Sequence, residues 1–163
     1  MNDSGNDKYL LTPGPLTTSL ATKRAMLRDW GSRDTEFIAI TRRIQDRLLA
    51  IAGVADSHVM VPVQGSGTFG VEAALGTLIA PGQHTLVLEN GAYGKRIVTI
   101  LERIGRAVSV LHWPEDQPTD PEALDEALRG DPAIEHVVAV HCETTTGILN
   151  DMVAVGRVTK RHE

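Results

Sequence analysis

Small residues with hydroxyls and accessible amides make up the run Gln64-Gly65-Ser66-Gly67-Thr68, which separates an apolar stretch at 58–63 from an Ala- and Leu-rich stretch after Phe69. The order strand, glycine turn, helix builds an anion site, because the first amides of a helix lack intrahelical acceptors and lie at the positive end of its dipole. A phosphate over Ser66, Gly67 and Thr68 would be held without any lysine, and the Ser66 and Thr68 hydroxyls would add hydrogen bonds. The competing reading is a tight turn that binds nothing. Two further runs have the same flavour. Asn90-Gly91-Ala92-Tyr93-Gly94 puts one aromatic among small residues at the end of a strand pattern, where Tyr93 either packs or lies flat against a planar ring. Cys142-Glu143-Thr144-Thr145-Thr146-Gly147 brings three successive hydroxyls to the end of another.

Other chemistries fit less well. No lysine lies between Lys23 and Lys95, which excludes the Gly-rich loop of nucleoside-triphosphate enzymes. Gly65, Gly67 and Gly70 match the dinucleotide fingerprint literally, and Glu89 follows at the distance of a ribose-binding acid. Such a unit opens its domain, whereas 57 residues precede this strand pattern. His141, Cys142 and Glu143 alternate faces if they are in a strand, and no second ligand pair at zinc spacing exists. A structural role is expected for Cys142 and no metal is expected.

These runs need elements to position them. Thr12-Pro13-Gly14-Pro15 is a stiff turn, after which Thr17, Thr18 or Ser19 caps a helix expected to reach about Asp29. Phe37, Ile40, Ile44, Leu48 and Ile51 recur at helical spacing from Thr35 until Gly53 stops the pattern. Strands are expected at 58–63, 84–89, 107–112 and 136–141, and helices after the glycine turn and over 95–104, 122–129 and 151–162. Asp120 as N-cap and Pro121 in the first turn mark the start of the third of these helices. Alternation with short connections predicts an α/β fold of three layers, a mainly parallel sheet with helices on both faces. The expected divisions are a polar leader at 1–8, a helical segment at 9–57 and an incomplete sheet domain at 58–163. Strand ends at Gln64, Glu89, His112 and His141 would then share the edge where such sheets bind ligands.

At 163 residues with 42% hydrophobic content the chain is large enough for a core without staples. A net charge of -5 with no basic tract argues against nucleic acid and anionic membrane as partners. One cysteine excludes an internal disulfide, and no signal-like or membrane-spanning run occurs, so a cytoplasmic protein is expected.

Four motifs in register carry a family resemblance over about residues 9–162: Leu10-Leu-Thr-Pro-Gly-Pro-Leu-Thr-Thr18, Gln64-Gly-Ser-Gly-Thr68, Glu89-Asn-Gly-Ala-Tyr-Gly94 and His141-Cys-Glu-Thr-Thr-Thr-Gly147. Together they resemble the class V pyridoxal-phosphate aminotransferases. The resemblance implies the partial large domain of a fold-type-I enzyme, with pyridoxal 5'-phosphate as cofactor and a homodimer in the full-length protein. By position it implies Ser66, Gly67 and Thr68 on the cofactor phosphate, Tyr93 stacked on the pyridine ring, and Thr144 or Thr145 on the ring oxygen. Pro13, Gly14 and Pro15 would border the substrate pocket, with 30–33 a further candidate for its rim. Asn150-Asp151 departs from the family's Asn-Pro.

The resemblance also implies a small amino donor and a 2-oxo acid acceptor. Overall likeness favours 2-aminoethylphosphonate and pyruvate, giving phosphonoacetaldehyde and alanine. Transfer from alanine or serine to glyoxylate is the variant within the class. No catalytic residue is expected within this chain, since the family's cofactor-binding lysine and its aspartate at the pyridine nitrogen would fall beyond Glu163. The chain alone is therefore expected to be inactive, as the N-terminal part of a transaminase. A non-catalytic remnant or interaction module, and more remotely a dinucleotide-binding module, are the rival expectations.

Overall fold

The computed structural model describes residues 8–163, so the leader expected at 1–8 lies outside the described residues apart from Lys8. The chain falls into two compact units, one ending at Val63 and one running from Gln64 to Glu163.

The first unit holds α1 (Leu20–Ala25) and α2 (Thr35–Ala52). Ser19 caps α1 by accepting the Thr22 amide at 3.1 Å, and the helix ends well short of Asp29. None of its residues is buried, so nothing stabilises further turns of a short helix. Arg28 instead stacks over Trp30 at 4.0 Å and pairs with Glu36 at 2.7 Å. The Asp34 carboxylate turns back to the Gly31 amide at 2.8 Å. Gly53 closes α2 in the left-handed conformation, φ 69°, which glycine adopts at no steric cost.

The strand expected at 58–63 does not form. A strand needs a neighbour for its amides and carbonyls, and this segment pairs with none among the described residues. Its Met60 carbonyl accepts instead from Gln45 Nε2 at 3.0 Å, and Val59, Val61 and Val63 are exposed.

The second unit is the α/β part. In chain order it holds α3 (Gly67–Leu78), β1 (His84–Glu89), α4 (Ala92–Arg103), β2 (Ala107–His112), α5 (Pro121–Gly130), β3 (Ile134–Ala139), the short strands β4 (Cys142–Glu143) and β5 (Ile148–Leu149), and α6 (Met152–Thr159). β1 lies at the centre of a parallel sheet of order β2-β1-β3. Its residues Thr85 to Glu89 are all buried, as expected of a strand covered on both faces. Val87 faces a cluster built from Leu75 of α3, Ile79 just after it, and Ile97, Ile100 and Leu101 of α4. Leu86 and Leu88 face the opposite cluster, built from Leu124 and Leu128 of α5 and Val155 and Val158 of α6. The three layers are thus helix pair, sheet, helix pair.

That order decides where a ligand would bind. From β1 the chain crosses to β2 on one side through α4, then returns through α5 to β3 on the other side. The direction reverses at β1, so the crevice outside its carboxyl end is the switch point of the sheet.

Some boundaries moved. α4 begins at Ala92 rather than 95, which places Tyr93 in its first turn. β3 ends at Ala139, two residues before its expected end, and Cys142–Glu143 pairs antiparallel with Ile148–Leu149 around the threonine turn.

Candidate functional site

Two helices start close to this crevice, and they differ in what meets their first amides. At α3 the neutral Ser66 hydroxyl accepts the Phe69 amide at 3.3 Å, and the Ser66 carbonyl accepts from Gly70 at 3.0 Å. The amides of Gly67 and Thr68 have no acceptor among the described residues. Gly65 permits the turn before them: its φ of 132° is unfavourable for any side chain, and a Cβ there would lie 2.7 Å from the Phe69 ring.

At α4 the anion position is filled by the protein itself. Glu143 is fully buried, and its Oε2 accepts the amides of Tyr93 at 3.1 Å and Gly94 at 3.2 Å. Its Oε1 accepts the Thr145 hydroxyl at 2.6 Å. Gly91 makes room for this carboxylate, since a Cβ there would come within 2.3 Å of Glu143 Cγ. One helix start is therefore closed by an internal carboxylate and the other is open to an external anion.

A cavity of about 400 Å³ lies along the open one, lined among others by Gly67, Thr68, Tyr93, Arg96 and Cys142. Arg96 donates from Nη1 to the Thr68 hydroxyl at 3.2 Å, and its guanidinium sits 5.1 Å from the centre of the Tyr93 ring. Thr68 accepts that bond, so its own hydroxyl proton stays available. Thr144 is exposed with no hydrogen bond among the described residues, whereas the Thr145 hydroxyl is engaged by Glu143 and receives the Ala92 amide at 3.4 Å.

A second buried constellation lies just past the carboxyl end of β1. Asn90 and Asn150 exchange amide hydrogen bonds at 3.0 and 3.1 Å. Asn90 also donates to the Gln117 carbonyl at 2.9 Å and Asn150 to the Val140 carbonyl at 2.7 Å, while Asn150 Oδ1 accepts the Thr119 amide at 2.9 Å. One side-chain pair thus ties the end of β1 to the loop before α5 and to the segment before α6.

The structure brings Ser66, Gly67, Thr68, Tyr93, Thr144 and Thr145 into the same unit, and it joins Gly67, Thr68 and Tyr93 at one cavity. Pro13, Gly14 and Pro15 lie in the first unit, in a turn where the Thr12 hydroxyl donates to the Pro15 carbonyl at 2.8 Å. Cys142, expected in a structural role, is exposed and lines the cavity. Arg96 was not singled out by sequence pattern, Glu143 was weighed there only as a metal ligand, and Asn90 and Asn150 were named only within motifs. Lys95 stays outside, paired with Glu115 at 3.1 Å.

The dinucleotide alternative loses its supports. Among the described residues no strand precedes the glycine turn, and a Cβ on Gly70 would meet nothing within 4 Å, so the third glycine is not demanded by close packing. Glu89 is buried and bonded to His112 Nδ1 at 2.8 Å, its cross-strand neighbour.

Comparison with solved structures gives the class. Pyridoxamine-pyruvate aminotransferase from Mesorhizobium loti superposes with a TM-score of 0.87 at 26% identity, over 95% of this chain and 39% of that one. Alanine–glyoxylate aminotransferase from Nostoc sp. gives 0.83 at 26%, over 99% and 45%. Over the part of them that it spans, the chain is similar to these aminotransferases and shares their parallel sheet covered by helices. Within that class it is 53% identical over 157 residues to 2-aminoethylphosphonate–pyruvate transaminase of Pseudomonas putida, a match that covers 96% of this chain. It spans about two fifths of that relative's length, 43%. No family model matches the chain. No helix among the described residues is long and apolar enough to cross a membrane.

Proposed function

We propose that this chain is the cofactor-cradling portion of a pyridoxal-phosphate transaminase that moves the amino group of 2-aminoethylphosphonate to pyruvate. The observation that carries the reading is the open start of α3 beside Tyr93, in a chain 53% identical to a transaminase of that name. The residues fit the cofactor. Two unpartnered amides and the Thr68 hydroxyl suit a phosphate. The Tyr93 ring, 39% exposed, suits a flat heteroaromatic partner.

In this reading Ser66, Gly67 and Thr68 hold the phosphate, and Ser66 also keeps the first turn of α3 in place. Tyr93 orients the ring by stacking, with its backbone fixed by Glu143. Thr144 donates its free hydroxyl to the ring oxygen, and Thr145 keeps Glu143 and the Ala92 amide in register. Bound pyridoxal phosphate supplies the electron sink that amino transfer requires. Pro13, Gly14 and Pro15 border the substrate in the same reading, the assembly is a homodimer and the setting is cytoplasmic. The neighbour that transfers between alanine and glyoxylate keeps that pair of substrates as the rival within the class.

Two measurements test the reading. Equilibrium dialysis of the 163-residue chain against pyridoxal phosphate and against pyridoxal should show clear preference for the phosphorylated form. Equal binding of the two would remove the phosphate cradle. Protein from its native source should form alanine from pyruvate with 2-aminoethylphosphonate as donor, faster than it forms glycine from glyoxylate with alanine as donor. The reverse order would move the assignment to the rival pair.

A further inference from the structure

The Arg96 side chain has an arrangement that the cradle of amides and hydroxyls leaves unused. Its guanidinium carries a permanent charge, yet its partners are a neutral hydroxyl, Thr68 Oγ1 at 3.2 Å, and the face of the Tyr93 ring at 5.1 Å. It forms no ion pair among the described residues. Glu72 lines the neighbouring groove with Arg96 and Arg103 and pairs with neither. Only one of the five guanidinium donors is used in a hydrogen bond.

The atom Arg96 touches is also one a phosphate at the start of α3 would touch. A dianion bonded to the Thr68 hydroxyl and to the Gly67 and Thr68 amides comes within one further hydrogen-bond length of Nη1. The ring face holds the guanidinium from the other side by cation–π attraction. The geometry points to Arg96 as a phosphate-binding residue, a cation that links the anion's seat at α3 to the aromatic on α4. This rests on the reading of Ser66, Gly67 and Thr68 as the cofactor's phosphate cradle, and it adds the positive charge that cradle lacks. Charge-assisted bonds of this type are about twice as strong as neutral ones.

The test uses the whole 163-residue chain, with pyridoxal phosphate and pyridoxal as the two probes in equilibrium dialysis. Arg96→Gln should weaken the phosphorylated probe about tenfold and pyridoxal less than twofold, the size of one charge-assisted bond. Arg96→Lys should fall between, because it keeps the charge and loses the fork. Added salt should erode the phosphate preference of the wild type more than that of Arg96→Gln. If Arg96→Gln and Arg96→Lys both keep the wild-type ratio of the two affinities, the assignment of Arg96 is overturned and the cradle stands. If the wild type itself shows no preference for the phosphorylated probe, both fall together. Arg96 is exposed, so thermal unfolding of the variants should match the wild type and serve as the folding control.

Discussion

The Glu143 carboxylate accepts the Tyr93 amide at 3.1 Å, so the aromatic that faces the cavity is tied through its own backbone to a residue 50 positions later. Glu143 is fully buried, and three donors converge on it, the Tyr93 and Gly94 amides and the Thr145 hydroxyl. Glu143→Ala would leave all three donors, of which Gly94 is buried, without this acceptor. We expect a loss of about 2–4 kcal/mol of stability in urea unfolding, within the usual cost of orphaned groups at a helix start. Glu143→Gln keeps one oxygen for the amides and turns its NH2, a donor, toward the Thr145 hydroxyl, and should lose about half as much. Equal midpoints for wild type and Glu143→Gln would mean the carboxylate does not hold α4.

Gly91 and Gly76 make a matched pair for testing whether space or conformation fixes a glycine here. Gly91 is extended, at φ 172°, so any residue can adopt its backbone; a Cβ would nonetheless meet Glu143 Cγ at 2.3 Å. Gly91→Ala should therefore destabilise by about 1–3 kcal/mol, the range for overpacking. Gly76 lies inside α3 with open space where a Cβ would go. Gly76→Ala should stabilise by about 0.5–1 kcal/mol through helix propensity. Thermal melts of the two variants should move in opposite directions, and movement in the same direction would refute the steric account of Gly91.

What the sequence made legible follows from the range of each interaction. β1 and β2 were found at their full extents, because each is a short, mainly apolar run bounded by turns. Asp120 and Pro121 marked the start of α5 because capping is local. The start of α4 was missed by three residues because its first amides are satisfied by Glu143, far along the chain. The strand at 58–63 was over-read for the same reason: its valines have β propensity, but a strand exists only with a partner, which propensity does not report. Among the site residues, Ser66, Gly67, Thr68 and Tyr93 were legible as motifs. Arg96 was not, because one arginine on a helix is ordinary until its neighbours are known.

The paired amides of Asn90 and Asn150 give a prediction about coupling. Each side chain is 1% exposed, and each both donates to and accepts from the other. Removing either leaves its partner's amide and a backbone group unsatisfied, a cost of about 1–3 kcal/mol per orphaned group. Removing both deletes the shared bonds once only. Asn90→Ala and Asn150→Ala should each destabilise strongly, and the double variant should cost at least about 1 kcal/mol less than their sum. Additive losses in a double-mutant cycle would show that the two amides act on separate parts of the structure.

Asp125 supplies the pH dependence. Hydrogen bonds from His162 at 2.8 Å and Arg161 at 3.1 Å, with Arg129 one turn along α5 adding its charge, hold the Asp125 carboxyl at about 2, below its ordinary 3.8. A carboxyl with a lowered folded pKa stabilises the fold above its unfolded pKa, and that stabilisation disappears as pH falls through the folded value. The contribution of Asp125 is therefore complete above about pH 4 and lost between there and about 2. Asp125→Asn should be less stable than the wild type at pH 6, and the two unfolding curves should converge as pH is lowered across that window. His162→Ala should raise the Asp125 pKa, since the largest of its stabilising bonds is gone, and so move the loss to higher pH. Unfolding midpoints at half-unit steps from pH 5 to 2 decide it: parallel curves for wild type and Asp125→Asn would mean that the α5–α6 cluster does not titrate with folding.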